Sequence, residues 1–184
     1  MTVLFDKFKK ELRENRLFII FALVVIIILQ AFGTIRIKGE SMEPTFNHYD
    51  LVGINKIYRF MEPKQDDIIV CGYEGSDELL IKRVIGLPGD EIDFLEDENS
   101  VDLKYDLYIN GVLFEEDYIM EPIQQIGDID YPYIVPDDCY FVMGDNRNAS
   151  SDSRTERIGA IKQENIKGKV FVRIYPFDQI EFFD

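Results

Sequence analysis

The stretch Leu79-Leu80-Ile81-Lys82-Arg83-Val84-Ile85 decides how this chain is read. On a strand, Leu80, Lys82 and Val84 share one face, while Ile81, Arg83 and Ile85 share the other. Similar short apolar runs recur around it: Asp50–Ile57, Asp67–Tyr73, Tyr105–Ile109, Val112–Phe114, Tyr140–Met143 and Lys169–Tyr175. Helical periodicity is scarce among them, so the expectation is antiparallel β structure. Asn110-Gly111 lies between LYI and VLF, the pair favoured by a type I′ hairpin because both central residues need positive φ. Pro88-Gly89 and Gly144-Asp145 predict further turns. The fold class that follows is mainly β, in a domain of about 150 residues, large enough for a core of its own.

The decisive strand carries a cation on each face. Either it is an edge strand with two exposed basic groups, or one face buries a charge. Burial disfavours ammonium, so a desolvated Lys82 would be a neutral amine able to accept a proton. Arginine cannot take that role, because guanidinium stays protonated.

Ahead of the β region stands Leu17–Ile35, LFIIFALVVIIILQAFGTI, without a charge. Nineteen helical residues would rise roughly 28 Å, close to the roughly 30 Å hydrocarbon core of a bilayer. The reading is an N-terminal transmembrane anchor over 17–35. Residues 1–16 then form a cytoplasmic N-terminus and residues 36–184 an extracytoplasmic domain, because the basic groups Lys7, Lys9, Lys10, Arg13 and Arg16 favour the inside. The alternative is a cleavable secretory signal ending at Ala31-Phe32-Gly33. Both readings export the bulk of the chain.

The net charge is −15 over 184 residues, unevenly spread. Residues 1–16 carry +2, and residues 91–138 carry −14, with Lys104 their single basic group. That acidic stretch reads as a solvated insertion in the β domain. So acidic an outer domain is a poor match for phosphate backbones, which excludes nucleic acid as a partner. One histidine and two distant cysteines cannot build a conventional zinc site. A Ser-His-Asp enzyme would rest entirely on His48, which reads as a surface residue. Cys71 and Cys139 could form a disulfide in an oxidising compartment or stay buried and unpaired.

Two other segments could carry chemistry. Gly39-Glu40-Ser41-Met42-Glu43-Pro44-Thr45 follows the apolar run so closely that even an extended chain keeps Ser41 within about 20 Å of its end. Gly144-Asp145-Asn146-Arg147-Asn148-Ala149-Ser150-Ser151-Asp152-Ser153-Arg154 is a loop without a large apolar side chain. Each could be a plain turn. Together with Lys82 they offer a nucleophilic serine, a lysine base and polar support, the Ser-Lys variant of covalent catalysis.

These segments resemble the type I signal peptidases of bacteria, membrane-anchored serine endopeptidases that remove signal peptides. The resemblance runs through GESMEPTF (39–46), IKRVIGLPGDEI (81–92), FVMGDNRNASSDSR (141–154), Gly159 and GKVFVRIYPF (168–177), in that order. It implies Ser41 as nucleophile and Lys82 as general base, with Ser150 orienting the lysine. Asp152 and Arg154 would brace the site, Arg83 would lie beside the base, and Met42 would follow the nucleophile. It implies a β-rich catalytic domain with an inserted β subdomain, here about 91–138, and cleavage after small residues of Ala-x-Ala type. No cofactor and no metal are implied. The implied partners are signal-peptide-bearing preproteins at the membrane, membrane lipid and, as a candidate neighbour, the secretion translocase. The implied location is the cell membrane, single-pass, in a Gram-positive-like arrangement. There are departures: Gly39 stands where some members have a serine contributing to the oxyanion hole, Tyr49 where a glycine is common, and Asn148 where an aspartate is common. With Gly39 in place, the hole would rely on backbone N–H groups, those of Gly39 and Ser41. A peptidase dedicated to one pilus or secretion system and a catalytically silent membrane-tethered assembly factor are the competing readings; a self-cleaving repressor would need a DNA-binding region that the sequence lacks.

Overall fold

The computed structural model describes residue 13, residues 15–98 and residues 100–183. Helix α1 (Arg16–Ala31) takes up most of the apolar run. The expected span of 17–35 is corrected at its carboxyl end: at Phe32 the backbone turns extended (φ −120°, ψ 159°), and β1 (Phe32–Arg36) begins at once. Gly33 is a weaker helix former than the residues before it. β2 (Leu51–Asn55) offers Phe32–Arg36 a complete ladder, from Phe32 opposite Asn55 to Arg36 opposite Leu51. The sixteen residues of α1 rise about 24 Å. Among the described residues, no helix is long and apolar enough to cross a membrane. Side chains of α1 are nevertheless bare, with Leu17 75 % and Leu29 70 % exposed.

The protein is mainly β. The remaining strands are β3 (Ile68–Gly72), β4 (Leu79–Gly86), β5 (Glu91–Glu96), β6 (Tyr105–Ile109), β7 (Val112–Leu113), β8 (Tyr133–Ile134), β9 (Cys139–Met143), β10 (Ile161–Lys162), β11 (Ile166–Tyr175) and β12 (Glu181–Phe182). Eight form one antiparallel sheet in the order β1-β2-β11-β3-β4-β9-β10, with β12 also paired to β11. The other four form a second sheet, β7-β6-β5-β8. Strand β5 escapes a reading by apolar runs because its alternation is half acidic: Ile92 and Phe94 point inward while Glu91, Asp93, Leu95 and Glu96 are more exposed. The hairpin between β6 and β7 turns at Asn110 (φ 54°) and Gly111 (φ 75°), the geometry a type I′ turn requires.

The second sheet packs on the first through Ile85, Ile92, Phe94, Leu107, Phe141 and Met143. A separate cluster of Met42, Phe46, Val52, Val70 and Val170 fixes the turn after β1 to the main sheet. Cys71 and Cys139 are both buried and both free thiols. Strong burial pushes the Cys71 thiol up to about 12.

Phe141 lies at the junction of the two sheets, fully buried and ring to ring with Tyr133 at 5.6 Å. Phe141→Ala should cost about 3–5 kcal/mol of unfolding free energy. Chemical denaturation of the purified protein, compared with the parent, checks this.

Candidate active site

Ser41 sits in the turn between β1 and β2, held from three sides. Met42 and Phe46 plug into the core beneath it, and the Phe46 N–H donates to Met42 O at 2.8 Å. From the facing loop, the Asn146 N–H donates to Ser41 O at 3.1 Å and the Asn146 side-chain amide to Glu40 O at 3.2 Å. Upstream, the Gly39 N–H donates to His48 Nδ1 at 2.9 Å. The facing loop comes so close that a Cβ on Gly144 would lie 2.3 Å from Ser41 O, so only glycine fits there.

Lys82, in β4 opposite Ile69, brings its Nζ to 2.6 Å from Ser41 Oγ. It is 3 % exposed. Burial is the dominant influence and holds its pKa below the ordinary lysine range; Asp152 and Asp145 oppose that shift, and Arg154 reinforces it.

Neither of those carboxylates is free to neutralise Lys82. Asp152, fully buried, accepts from Arg154 Nε at 2.8 Å, from Arg154 Nη2 at 2.8 Å and from the Gly144 N–H at 3.0 Å. Burial alone would raise its pKa, but the bonds and charge of Arg154, with the Gly144 N–H, outweigh burial and hold it below the usual carboxylate range. Asp145 accepts from Arg83 Nε at 2.9 Å and Nη2 at 2.6 Å, and from Thr45 Oγ1. Burial works against the Arg83 charge, yet Asp145 more than compensates and raises its pKa. A third buried pair joins Arg147 to Glu116, and Tyr118 from the same segment lies under the Arg83 guanidinium, 3.8 Å from ring centroid to Cζ.

The residues singled out in the sequence therefore distribute as follows. Ser41, Lys82 and Met42 meet at one cleft. Asp152 and Arg154 form one ion pair behind it, and Arg83 lies on the opposite strand face with Asp145. Both cations of the decisive strand are buried, so the edge-strand alternative with two exposed basic groups does not hold. Ser150 Oγ is buried and makes no hydrogen bond to Lys82, so the orienting bond implied by the resemblance is not formed here; its hydroxyl instead helps hold the Asp152 pKa down. The Gly39 N–H expected in the oxyanion hole is already given to His48, whereas the Ser41 N–H donates to no described residue. Thr45, Glu116, Tyr118, Asp145 and Arg147 were not assigned from the sequence. Three arginines set in or beside apolar strands signal a need for buried acids, but the sequence does not say which of fifteen acidic groups in 91–138 would answer Arg147.

Ser41 and Lys82 both line a cleft of about 570 Å³. Its walls are Ile35–Lys38, at and beyond the end of β1, and Glu78–Lys82, at and before the start of β4. Three strands separate β1 from β4 in the sheet, so the sheet curls to bring them to one cleft. Each wall has an open backbone edge. Among the described residues, β1 pairs with β2 alone, and β9 pairs with β4 only from Arg83 onward. Four antiparallel steps lie between them, so β1 and β4 run in the same sense.

Comparison with known proteins adds the lineage. The profile of the family described as signal peptidase, peptidase S26, matches residues 12–175. The chain is 33 % identical to signal peptidase I P of Bacillus subtilis subsp. natto, over 96 % of this chain and 98 % of the relative. The chain belongs to the signal peptidase S26 family. It is 32 % identical to signal peptidase IB of Staphylococcus aureus (strain MRSA252), over 95 % of each chain. A crystal structure of a signal peptidase I from Enterococcus faecalis V583 aligns with 59 % of this chain and 96 % of its own, at 31 % identity and a TM-score of 0.47. As a member of the signal peptidase I family the protein is a hydrolase, a protease of the serine type.

Asp152→Asn removes the charge that answers the buried Arg154. It should lower stability by about 3 kcal/mol, roughly 10 °C in Tm. Thermal unfolding of the variant against the parent at neutral pH measures it; an unchanged Tm would contradict the pairing.

Proposed function

We propose that the protein is a membrane-associated signal peptidase that cuts exported preproteins by a Ser41–Lys82 acyl-enzyme mechanism. The observation that carries this reading is the 2.6 Å approach of Lys82 Nζ to Ser41 Oγ, made by a lysine buried away from any uncommitted carboxylate. With its amine neutral, Lys82 accepts the Ser41 hydroxyl proton as Oγ attacks the scissile carbonyl. The Ser41 N–H, which has no partner among the described residues, stabilises the oxyanion that forms. Lys82 then returns the proton to the leaving amine, the C–N bond breaks, and an ester to Ser41 remains. A water molecule gives its proton to Lys82, attacks that ester and frees the enzyme.

The substrate lies extended in the cleft. Two open edges running in the same sense suit one added strand between β1 and β4, bonded to both through its backbone. Apolar walls at Ile35, Ile37, Met42, Val70 and Ile81 leave shallow space for small side chains, which supports cleavage after Ala-x-Ala. The all-round apolar surface of α1 is matched to lipid, so α1 is embedded in the membrane with the β domain on the outer side.

Ser41→Ala and Lys82→Arg should each reduce cleavage of an Ala-x-Ala preprotein by about a thousandfold or more. Lys82→Arg retaining parental activity would contradict the neutral base. Because the neutral amine is the active form, the rate should be full above the lowered lysine pKa and fall about tenfold per pH unit below it. A pH–rate profile of kcat/KM measures this, and a rate flat into the acid range would rule it out.

A further inference from the structure

Between β7 and β8 the chain runs along the loop that faces Ser41 and grips it at several points. In that stretch Glu115 and Asp117 are exposed, whereas Glu116 and Tyr118 turn inward. Glu116 accepts from both terminal nitrogens of Arg147, and its side chain is 3 % exposed. Tyr118 lays its ring on the Arg83 guanidinium, 3.8 Å from centroid to Cζ, and its hydroxyl donates to Glu116 Oε1 at 2.7 Å. Farther along, Gln125 O accepts from Arg154 Nη1 at 2.7 Å, and the Asp128 N–H donates to Arg154 O at 3.0 Å. None of these contacts takes part in the proton transfer assigned to Ser41 and Lys82.

We propose that Tyr118 is a positioning residue for the Ser41–Lys82 pair, acting through Arg83 and Asp145. The proposal rests on the peptidase reading above and extends it to the inserted segment. Arg83 follows Lys82 in β4, so its guanidinium belongs to the strand that carries the base. In its own plane that guanidinium is held by Asp145 at one end, through Nε at 2.9 Å and Nη2 at 2.6 Å, and by Asp66 O at the other, through Nη1 at 3.2 Å. In-plane bonds do not stop a flat group from tilting; a ring against its face does, and adds cation–π attraction. Asp145 also accepts from Thr45 Oγ1, four residues after Ser41, and its neighbour Asn146 gives its N–H to Ser41 O. One carboxylate therefore ties the strand of the base to the turn of the nucleophile, and Arg83 orients that carboxylate. Without the ring, Arg83 tilts and Asp145 follows, carrying Thr45 and Asn146 with it. A misplacement of about 1 Å between reacting groups can cost about a hundredfold in rate. The Glu116–Arg147 pair anchors the chain two residues before Tyr118, so the ring stays seated even without its own hydroxyl.

The test compares Tyr118→Phe, Tyr118→Leu and Tyr118→Ala with the parent, as full chains in detergent micelles. Each cleaves one Ala-x-Ala preprotein at a temperature below the onset of its own thermal unfolding. Phenylalanine keeps the aromatic face, whereas leucine fills much of the space without one. Tyr118→Phe should keep kcat within about threefold of the parent, because the cation–π contact survives. Tyr118→Leu and Tyr118→Ala should each lose about tenfold or more in kcat with KM unchanged, because the cleft that binds substrate is untouched. Leu107→Ala, in the apolar core of the second sheet, is the control for loosening alone, and its kcat per folded molecule should stay parental. A Tyr118→Leu protein with parental kcat overturns the proposal, as does a Tyr118→Phe protein as impaired as Tyr118→Leu. A loss carried wholly by KM, or an equal loss in Leu107→Ala, overturns it too. If the alanine variant does not fold, the phenylalanine and leucine proteins decide alone. Failure of the parent to cut the preprotein strikes instead at the Ser-Lys reading on which the proposal rests.

Discussion

Burial holds the Lys82 pKa below the ordinary lysine range, and the buried carboxylates near it are already committed to arginines. Asp152 is gripped by Arg154 and Asp145 by Arg83, each through two nitrogens of one guanidinium. A buried lysine beside a free carboxylate would gain a counter-ion and keep its proton; beside paired ones it sees a field that largely cancels, and desolvation decides. The arrangement also explains why so many charges lie inside one wall. Burying ions costs several kcal/mol each unless geometry and hydrogen bonding compensate. Here the remaining donors find partners: Arg154 reaches the carbonyls of Gln125 and Arg147, and Arg83 that of Asp66.

The segment between β7 and β8 contributes to this wall. Glu116 closes on Arg147, Tyr118 lies under Arg83, and Gln125 O receives Arg154. The stretch 91–138, which carries most of the negative charge of the protein, therefore places Glu116 against this wall and leaves most of its other acids to solvent. The main sheet does a different job. Its curl brings the ends of β1 and β4 to one cleft, and its direct junction with α1 ties that cleft to the apolar helix.

Much of this was legible in the sequence, for identifiable reasons. Strand runs showed through because β-branched residues cluster in 67–73 and 79–85, and Asn110-Gly111 marked its hairpin through the demand for positive φ. Ser41 and Lys82 were singled out by the resemblance of their motifs, because among six serines and eleven lysines composition alone points to neither. The end of α1 was not, because an apolar run reads alike on a helix and on a buried strand, and the ladder with β2 that ends it lies about twenty residues away. Nor were the partners of the arginines, since a carboxylate–guanidinium pair between positions 116 and 147 leaves no local trace. The Gly39 amide shows the same limit: its acceptor, His48, was read only as a surface residue.

The most direct test is the titration of Lys82 itself. Lysine ε-carbons labelled with ¹³C in the Ser41→Ala protein can be followed by NMR across the alkaline range, with Lys82 assigned by its loss in a Lys82→Met sample. The account predicts one lysine whose pKa falls clearly below the ordinary value of about 10.4, shifted by burial as its paired surroundings require. A Lys82 that titrates with the exposed lysines would contradict it, because an ammonium at working pH cannot take the proton from Ser41.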